Sequence, residues 1–253
     1  MGRLIRAFAF PAGVVLAWEA YAQLRGIPYE TLSYPSAILA SGWPALTDGT
    51  LLLATYQTFS AALVGLAVGV LIGILVGVPL GLLPAAEAVV GPTLEALRPI
   101  PAIALLPLAL LIFGFGLRME AAIVAIGCLW PVLLVTISAV RNIDARLLEI
   151  GRLLQLSPLL RIVRIVLPAT GARICIGIRI AAGVSLALAI TVEIALNPNG
   201  LGYAMVTASQ GFDPALLWAE LLWVGLVGWG FNRLLVTVER RWVLRYAGGA
   251  GHD

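Results

Sequence analysis

The side chains that most often carry out chemistry are scarce in this chain of 253 residues. All sixteen residues in the Lys+Arg count are arginines, so the chain has no lysine. A P-loop and Schiff-base catalysis both need a lysine, and the sequence excludes them. The one histidine, His252, lies in a glycine-rich end, and Cys128 and Cys175 stand far apart in apolar sequence. We therefore predict no enzyme and no cofactor or metal bound by this chain; if ATP drives the protein, another chain binds it.

Four charged side chains fall within or at the edge of long apolar stretches: Arg98, Arg179, Glu193 and Glu220. A charged side chain at the centre of a bilayer costs about 2.5 to 3.5 kcal/mol on insertion scales, so something must offset that cost. We expect Arg179 to reach the membrane surface and Glu193 to serve in a gate or a helix pair. The candidate pathway or gate residues are Arg98, Pro101, Arg179, Ser185, Thr191 and Glu193.

The composition indicates the elements that must hold these side chains. The chain is 61% hydrophobic and 11% charged, against about 25% charged residues in an ordinary soluble domain. No charged residue occurs between positions 49 and 86, 99 and 117, or 121 and 140. A helix needs about 20 residues to cross a bilayer, so the sequence predicts an all-α integral membrane protein with several spans.

Charges and turn signals divide the chain into six predicted transmembrane helices, at 7–24, 52–80, 87–114, 119–140, 170–196 and 214–238. With the N-terminus inside, eleven arginines lie on the cytoplasmic side and two, Arg25 and Arg118, on the other. The positive-inside rule then places both termini in the cytoplasm. We expect one transmembrane domain over 1–246 and a flexible tail over 247–253.

Small residues and prolines distinguish the second and third predicted spans. The second carries a glycine at every fourth position from Gly65 to Gly81, a pattern that lets another helix pack very close. Either this packing is fixed within one subunit, or the groove lets a helix slide during transport. In the third, Pro99, Pro101 and Pro107 each remove a backbone donor. They indicate either a bent helix beside a pathway or a kinked packing helix.

The one long polar segment, 141–168, lies between the fourth and fifth predicted spans and is predicted to form two short cytoplasmic helices. Asp144 can cap the first helix, whereas Ser157 and Pro158 start the second and Pro168 ends it. The first helix is amphipathic: its polar face holds Arg146, Glu149, Arg152 and Gln155, and its apolar face holds Leu147, Ile150 and Leu154. The apolar face must lie either on the membrane surface or in a groove of a partner protein.

The same segment resembles the hallmark cytoplasmic loop of the permeases of binding-protein-dependent ABC importers of the nitrate/sulfonate/taurine type. That loop reads E-A-A, three residues, G, nine residues, I-x-L-P. Set on Glu149, its spacing places Gln155 at the glycine, Ile165 at the isoleucine and Leu167-Pro168 at the final pair. Two departures are Ile150-Gly151 for the paired alanines and Gln155 for the glycine. Further matching segments are Tyr34-Pro35-Ser36, Leu97-Arg98-Pro99-Ile100-Pro101, Leu106-Pro107, Phe113-Gly114, Gly177-Ile178-Arg179, Glu193 and Gly200-Leu201-Gly202.

The resemblance implies a type I importer fold in which two permeases and two cytoplasmic ATPases carry a solute that a periplasmic binding protein delivers. It implies a homodimer in the bacterial inner membrane, no nucleic-acid partner, and ATP and Mg²⁺ on the ATPase. Relatives carry small, mostly anionic solutes, so the carboxylate of Glu193 is not expected to bind the solute directly. The implied ATPase-coupling residues are Asp144, Arg146, Glu149, Arg152, Gln155, Ile165, Leu167 and Pro168.

Two functions from other classes are alternatives. An ATP-independent secondary transporter or channel would be expected to show repeats between the chain halves and a charge relay, and the sequence shows neither convincingly. A membrane-embedded enzyme would need a cluster of metal-binding or nucleophilic residues that the sequence lacks.

Overall fold

The computed structural model describes residues 2–25 and 33–247, and all regular secondary structure within these ranges is helical. The predicted tail, 247–253, lies outside the described residues except for Ala247. A 3₁₀ turn (Ala102–Leu105) precedes α5, and a π turn (Ile162–Val166) precedes α9. The α-helices are α1 (Gly2–Arg25), α2 (Pro35–Thr47), α3 (Thr50–Leu82), α4 (Pro84–Leu97), α5 (Leu106–Phe113), α6 (Leu117–Arg141), α7 (Ala145–Leu153), α8 (Pro158–Arg161), α9 (Leu167–Ala195), α10 (Leu201–Gln210) and α11 (Pro214–Ala247).

Four helical segments of the described chain are long and apolar enough to cross a membrane. They are Thr50–Leu82, Leu117–Arg141, Pro158–Ala195 and Pro214–Thr237, and they correspond to the predicted spans at 52–80, 119–140, 170–196 and 214–238. The bent pair formed by Pro84–Leu97 and Ala102–Phe113 makes a fifth if it counts as one span. The predicted span at 7–24 forms α1, which is not among these segments, so the count of six stays a prediction.

The centre of the bundle is the contact between α3 and α6, with α9 packed against both. The glycines of α3 lie against α6 so closely that a Cβ added at any of them would be 2.5 to 2.9 Å from an α6 atom. This confirms the predicted close packing within one subunit. The glycines are Gly65, Gly69, Gly73, Gly77 and Gly81, and the α6 residues facing them are Val124, Cys128, Val132, Thr136 and Val140.

The predicted span at 87–114 is sharply bent, in the region where its prolines indicated a bend or a kink. The chain forms α4, then the 3₁₀ turn and α5, and the two helical parts are bent by 82°. Pro99 and Pro101 have no backbone N–H to continue the helical hydrogen bonds, and Pro101 is extended, with φ −63° and ψ 126°. The prolines therefore break this segment instead of only kinking it.

The prediction that Pro168 ends a second short helix is wrong, because α8, the π turn and α9 form one continuous helical segment from Pro158 to Ala195. A proline ring normally clashes with the carbonyl group four residues earlier. The wider π turn directly before Pro168 makes room for the ring, so the helix continues.

The helices α2 and α10 have no counterpart among the predicted elements. They lie at the end of the bundle opposite the 141–168 loop. Both pack against α11, and α10 also packs against α9.

Between α2 and α3, the side chain and the backbone N–H of Thr50 both donate hydrogen bonds to Asp48 Oδ1, at 2.7 and 2.9 Å. These two bonds hold the pKa of Asp48 below its usual value.

Candidate functional site

The first half of the 141–168 loop is a capped, outward-facing helix. Asp144 is its N-cap, and its Oδ1 accepts a hydrogen bond of 2.9 Å from the backbone N–H of Arg146. The predicted polar face is exposed: Arg146, Glu149 and Arg152 all point away from the bundle. None of the three forms a side-chain hydrogen bond or ion pair with the residues that the structure describes, so these charges are free to meet a partner.

The side of α7 that packs on the bundle is formed by Leu148 and Gly151, which do not belong to the predicted apolar face. Leu148 packs with Val140 and Val166, and a Cβ added at the buried Gly151 would lie 2.7 Å from Cδ1 of Ile165. Close approach of α7 to the π turn therefore turns Leu148 and Gly151 toward the bundle. The bundle leaves the residues of the predicted apolar face uncovered: Leu147 is 41% exposed, Ile150 48% and Leu154 64%.

Gln155, which stands where the resembling family has glycine, adopts the backbone conformation that favours glycine. Its φ is +52°. The N–H of Gln155 donates to Arg152 O at 2.9 Å, and the N–H of Leu156 donates to Gly151 O at 3.1 Å. These bonds form a Schellman motif that ends α7 and turns the chain toward Ser157, whose Oγ caps α8.

Gln155→Gly is therefore expected to stabilise the protein by about 0.5 to 1 kcal/mol. Glycine removes the cost of a left-handed conformation for a residue with a Cβ, and its larger backbone entropy offsets part of that gain. Thermal unfolding of the purified protein measures the change. Gln210→Gly is the matched control, because Gln210 ends α10 in an ordinary helical conformation and its replacement should destabilise. Equal shifts in the two variants would contradict the prediction.

The second half of the loop supports α7. Ile165 and Leu167 are half-buried, the former against Gly151 and the latter near Val78, whereas Pro168 is exposed. The loop thus leaves an apolar surface uncovered next to the charges of α7. We call it the loop surface; its apolar residues are Leu147, Ile150, Leu153, Leu154, Leu159 and Val163.

A cluster of buried and half-buried polar side chains lies at the end of the bundle opposite the 141–168 loop, where α6 begins and α9 ends. Following the orientation predicted from the arginines, we call it the outer polar cluster and define it as Gln57, Thr58, Glu120, Glu193 and Asn197. Asn197 Nδ2 donates to Glu120 Oε2 at 2.8 Å, and Asn197 Oδ1 accepts the N–H of Gly116 at 3.1 Å. The Asn197 side chain therefore ties the end of α9 to the start of α6.

The remaining members of the outer polar cluster hold the start of α10. Glu193 Oε2 accepts the N–H of Gly202 at 2.8 Å, and Thr58 Oγ1 accepts the N–H of Leu201 at 2.9 Å. Gln57 Oε1 accepts the N–H of Gly200 at 3.1 Å. Gly200 has φ +92°, and an added Cβ would overlap the Glu193 carboxylate, so this turn requires glycine. Helices α3, α9 and α10 are thus fastened together at one point.

Replacing Glu193 with alanine is expected to cost about 1 to 3 kcal/mol, because it leaves the buried N–H of Gly202 without an acceptor. Glu193→Gln should cost less, since the amide oxygen can accept the same bond. We further expect Glu193→Gln to change solute uptake more than assembly, because it removes the charge and keeps the contact. Thermal unfolding and uptake at matched expression measure both effects. Unchanged uptake by Glu193→Gln would leave Glu193 with a structural role only.

The other predicted pathway residues do not converge on the outer polar cluster. Arg98 and Pro101 lie exposed at the break after α4. Arg179 Nη1 lies 3.2 Å from Glu239 Oε2 of α11, so Arg179 has an ion-pair partner in addition to the expected surface access.

The two hydroxyl candidates on α9 bond to their own helix. Ser185 is buried and donates to Ala182 O at 2.8 Å, whereas Thr191 is exposed and donates to Ala187 O at 2.7 Å. Both hydroxyl protons are therefore already engaged by backbone carbonyls.

Glu120 and the ion pair between Glu87 and Arg141 were not predicted from the sequence. Glu120 lies at the edge of an uncharged stretch of twenty residues, and this position could have marked it as a carboxylate close to a span. Its partner Asn197 could not have been found in this way, because it is 77 positions away. Within the described ranges, no group of three or more His, Cys, Asp or Glu residues is placed to hold a metal ion.

Comparison with known proteins decides the family. Residues 69–243 match the sequence profile of the family described as "Binding-protein-dependent transport system inner membrane component". The chain belongs to this family. It is a permease of an ABC importer, a non-enzymatic multi-pass component of the inner membrane whose ATPase is a separate subunit.

Individual relatives agree with this assignment. The permease is 26% identical over 247 residues to the aliphatic sulfonates transport permease protein SsuC of Bacillus subtilis, covering 96% of this chain and 90% of the relative. It is 28% identical over 233 residues to SsuC of Escherichia coli, covering 92% and 89%. It also resembles the inward-facing MetNI methionine ABC transporter, with a TM-score of 0.66 and 20% identity, over 76% of this chain and 95% of that one. This last likeness shows the fold.

Proposed function

We propose that the permease carries a small anionic solute of the sulfonate type, delivered by a periplasmic binding protein, through a dimer of two identical permeases driven by two ATPases. The sulfonate relatives, which this chain matches over nearly its whole length, support the solute class. Counting α1 and the bent pair of α4 and α5 as spans gives six spans, and an even number places both termini on the same side. We assign that side to the cytoplasm. The excess of arginine on one side supports that orientation.

The observation that carries the proposal is the loop surface beside the exposed charges of α7. Apolar side chains such as Leu153, which is 82% exposed, flank Arg146, Glu149 and Arg152. A helix with free charges and an uncovered apolar flank fits a cleft in a partner protein. We assign that cleft to the ATPase, with 141–168 as the coupling loop of a permease domain over 1–246.

In this arrangement the eight coupling residues divide into two groups. Asp144, Gln155, Ile165 and Leu167 shape the loop and hold it on the bundle, through the cap, the Schellman motif, the contact with Gly151 and packing near Val78, and the exposed Pro168 follows the π turn in the first turn of α9. Arg146, Glu149 and Arg152 present charges to the ATPase. The loop connects the end of α6 to the start of α9, so movement of the ATPases would be transmitted to these two helices.

The second permease is assigned to the side of α4. No residue of α4 is buried, yet its Glu87 pairs with Arg141 of α6, and Arg98, directly after α4, lines a cleft of about 370 Å³ together with Ser138 of α6. Lipid chains offer no hydrogen bonds to these charged side chains, whereas water in a path between two subunits can. Arg98 and Pro101 are accordingly proposed to line the solute pathway, and Glu193 to hold its outer end.

Stoichiometry and energy dependence test this function. Native mass spectrometry of the purified complex should give two permeases and two ATPases. Uptake of a short alkanesulfonate into proteoliposomes should require both ATP and the binding protein, and an ATPase inactivated at its own P-loop should abolish it. One permease per complex, or uptake that persists without hydrolysis, would contradict the proposal and favour a secondary transporter.

A further inference from the structure

A cavity of about 610 Å³ opens at the outer end of the bundle, between the first turns of α3 and α11 and the length of α10. It borders the outer polar cluster at Gln57, beside Gly200, whose N–H donates to Gln57. Most of its wall is apolar, with Leu51, Ala54 and Leu216 among the lining side chains. Cavities of about 300 to 1,000 Å³ with apolar walls and a few polar groups are typical of small-molecule sites.

The charged groups that the described residues contribute to this outer cavity are all acidic. Glu220 is only 5% exposed, lines the cavity, and its Oε2 has no hydrogen-bond partner among the described residues. Asp213 lies on the same wall, close enough to interact electrostatically with Glu220. Its Oδ1 accepts the N–H of Leu216 at 3.0 Å and so caps α11. None of the described residues that line the cavity is basic.

A buried carboxylate without a partner, beside a second carboxylate, is unfavourable in its charged form, so it either takes up a proton or is joined by a positive group. The cavity is much larger than a bare ion, and the described residues supply no third carboxylate, histidine or cysteine to complete a metal site. An alkylammonium group fits both parts of the cavity. Its N–H groups can donate to Glu220 and its carbon chain can lie on the apolar wall.

We propose that this outer cavity binds a small organic ammonium group, with Glu220 as its hydrogen-bond acceptor and counter-charge. The site is separate from the coupling loop and does not depend on the proposed solute. Two sources can supply the group: a soluble amine, or the ammonium of a phosphatidylethanolamine headgroup.

Isothermal titration of the detergent-solubilised transporter tests the site. We use n-butylammonium, with 1-butanol and n-butyrate as uncharged and anionic probes of similar length. Saturable binding is expected for n-butylammonium only, and Glu220→Gln should weaken it at least tenfold. Glu95→Gln, at an exposed carboxylate of α4 outside the cavity, is the matched control and should bind as the wild type does.

A second variant keeps the test decisive if Glu220→Gln folds poorly. Ala204→Phe leaves Glu220 intact and fills the cavity from the α10 wall, so it should also abolish binding. Lipid nanodiscs identify the source. Weaker n-butylammonium binding in phosphatidylethanolamine than in phosphatidylcholine, which is also zwitterionic but has no N–H group, indicates a competing headgroup, and equal binding favours a soluble amine. Absence of saturable binding to the wild type, unchanged affinity in folded Glu220→Gln, or equal binding of 1-butanol would overturn the proposal.

Discussion

Glu149→Arg is expected to separate the permease from its ATPase while leaving the helical bundle folded. Glu149 is exposed on α7 and forms no hydrogen bond or ion pair with the described residues, so its replacement costs the bundle little. In an ATPase cleft, by contrast, its carboxylate would meet a basic or donor group. Losing one partner of a buried charge contact costs about 2 to 5 kcal/mol, which weakens association about 30-fold to several thousand-fold.

Co-purification and stimulated ATP hydrolysis measure this effect. Arg118→Glu is the control: it reverses an exposed charge at the opposite end of the same bundle and should retain the ATPase. If α7 instead lies on the membrane, the added arginine would strengthen attraction to anionic lipid and leave ATPase binding intact. Wild-type retention and hydrolysis by Glu149→Arg would therefore remove this residue from the coupling role.

Gly73→Leu is expected to prevent assembly of the bundle itself. A Cβ at this position would lie 2.9 Å from Cβ of Val132 and 3.2 Å from the backbone nitrogen of Leu133. The backbone of α6 cannot move away without disturbing the neighbouring glycine contacts, so a whole leucine side chain must separate α3 from α6. Overpacking costs typically about 1 to 3 kcal/mol, and more where backbone is in the way.

Fluorescence-detected gel filtration of solubilised membranes measures the outcome. Gly225→Leu is the matched control, because an added Cβ there meets nothing within 4 Å and leucine favours the helix. We expect a monodisperse peak for Gly225→Leu and loss of that peak for Gly73→Leu. A normal peak for Gly73→Leu would mean that α3 and α6 do not pack this closely in the membrane.

Much of the local structure could be predicted from the sequence because its causes are local. Long uncharged stretches indicated the spans, since about 20 apolar residues suffice to cross a bilayer. Asp144 and Ser157 marked helix starts that the structure confirms, because an N-cap acts on the next turn of its own helix. The glycine spacing of α3 predicted close packing, because every fourth residue lies on nearly the same face.

Tertiary structure alone decided the features that depend on distant parts of the chain. Which face of α7 turns inward was set by contact with Ile165, which local periodicity does not record. Pro168 remains within a helix because the π turn before it makes space, although proline by itself predicts a stop.

The outer polar cluster is the clearest case in which the sequence alone could not identify the partners of a side chain. Glu193 looked like an isolated charge, yet it and Asn197 fasten the end of α9 to α10 and α6 through bonds to Gly202 and Glu120. The sequence determined that such buried polar groups needed partners, because unsatisfied ones are costly in an apolar interior. Only the packing of α3, α6, α9 and α10 decided which partners they found, because those partners come from different helices.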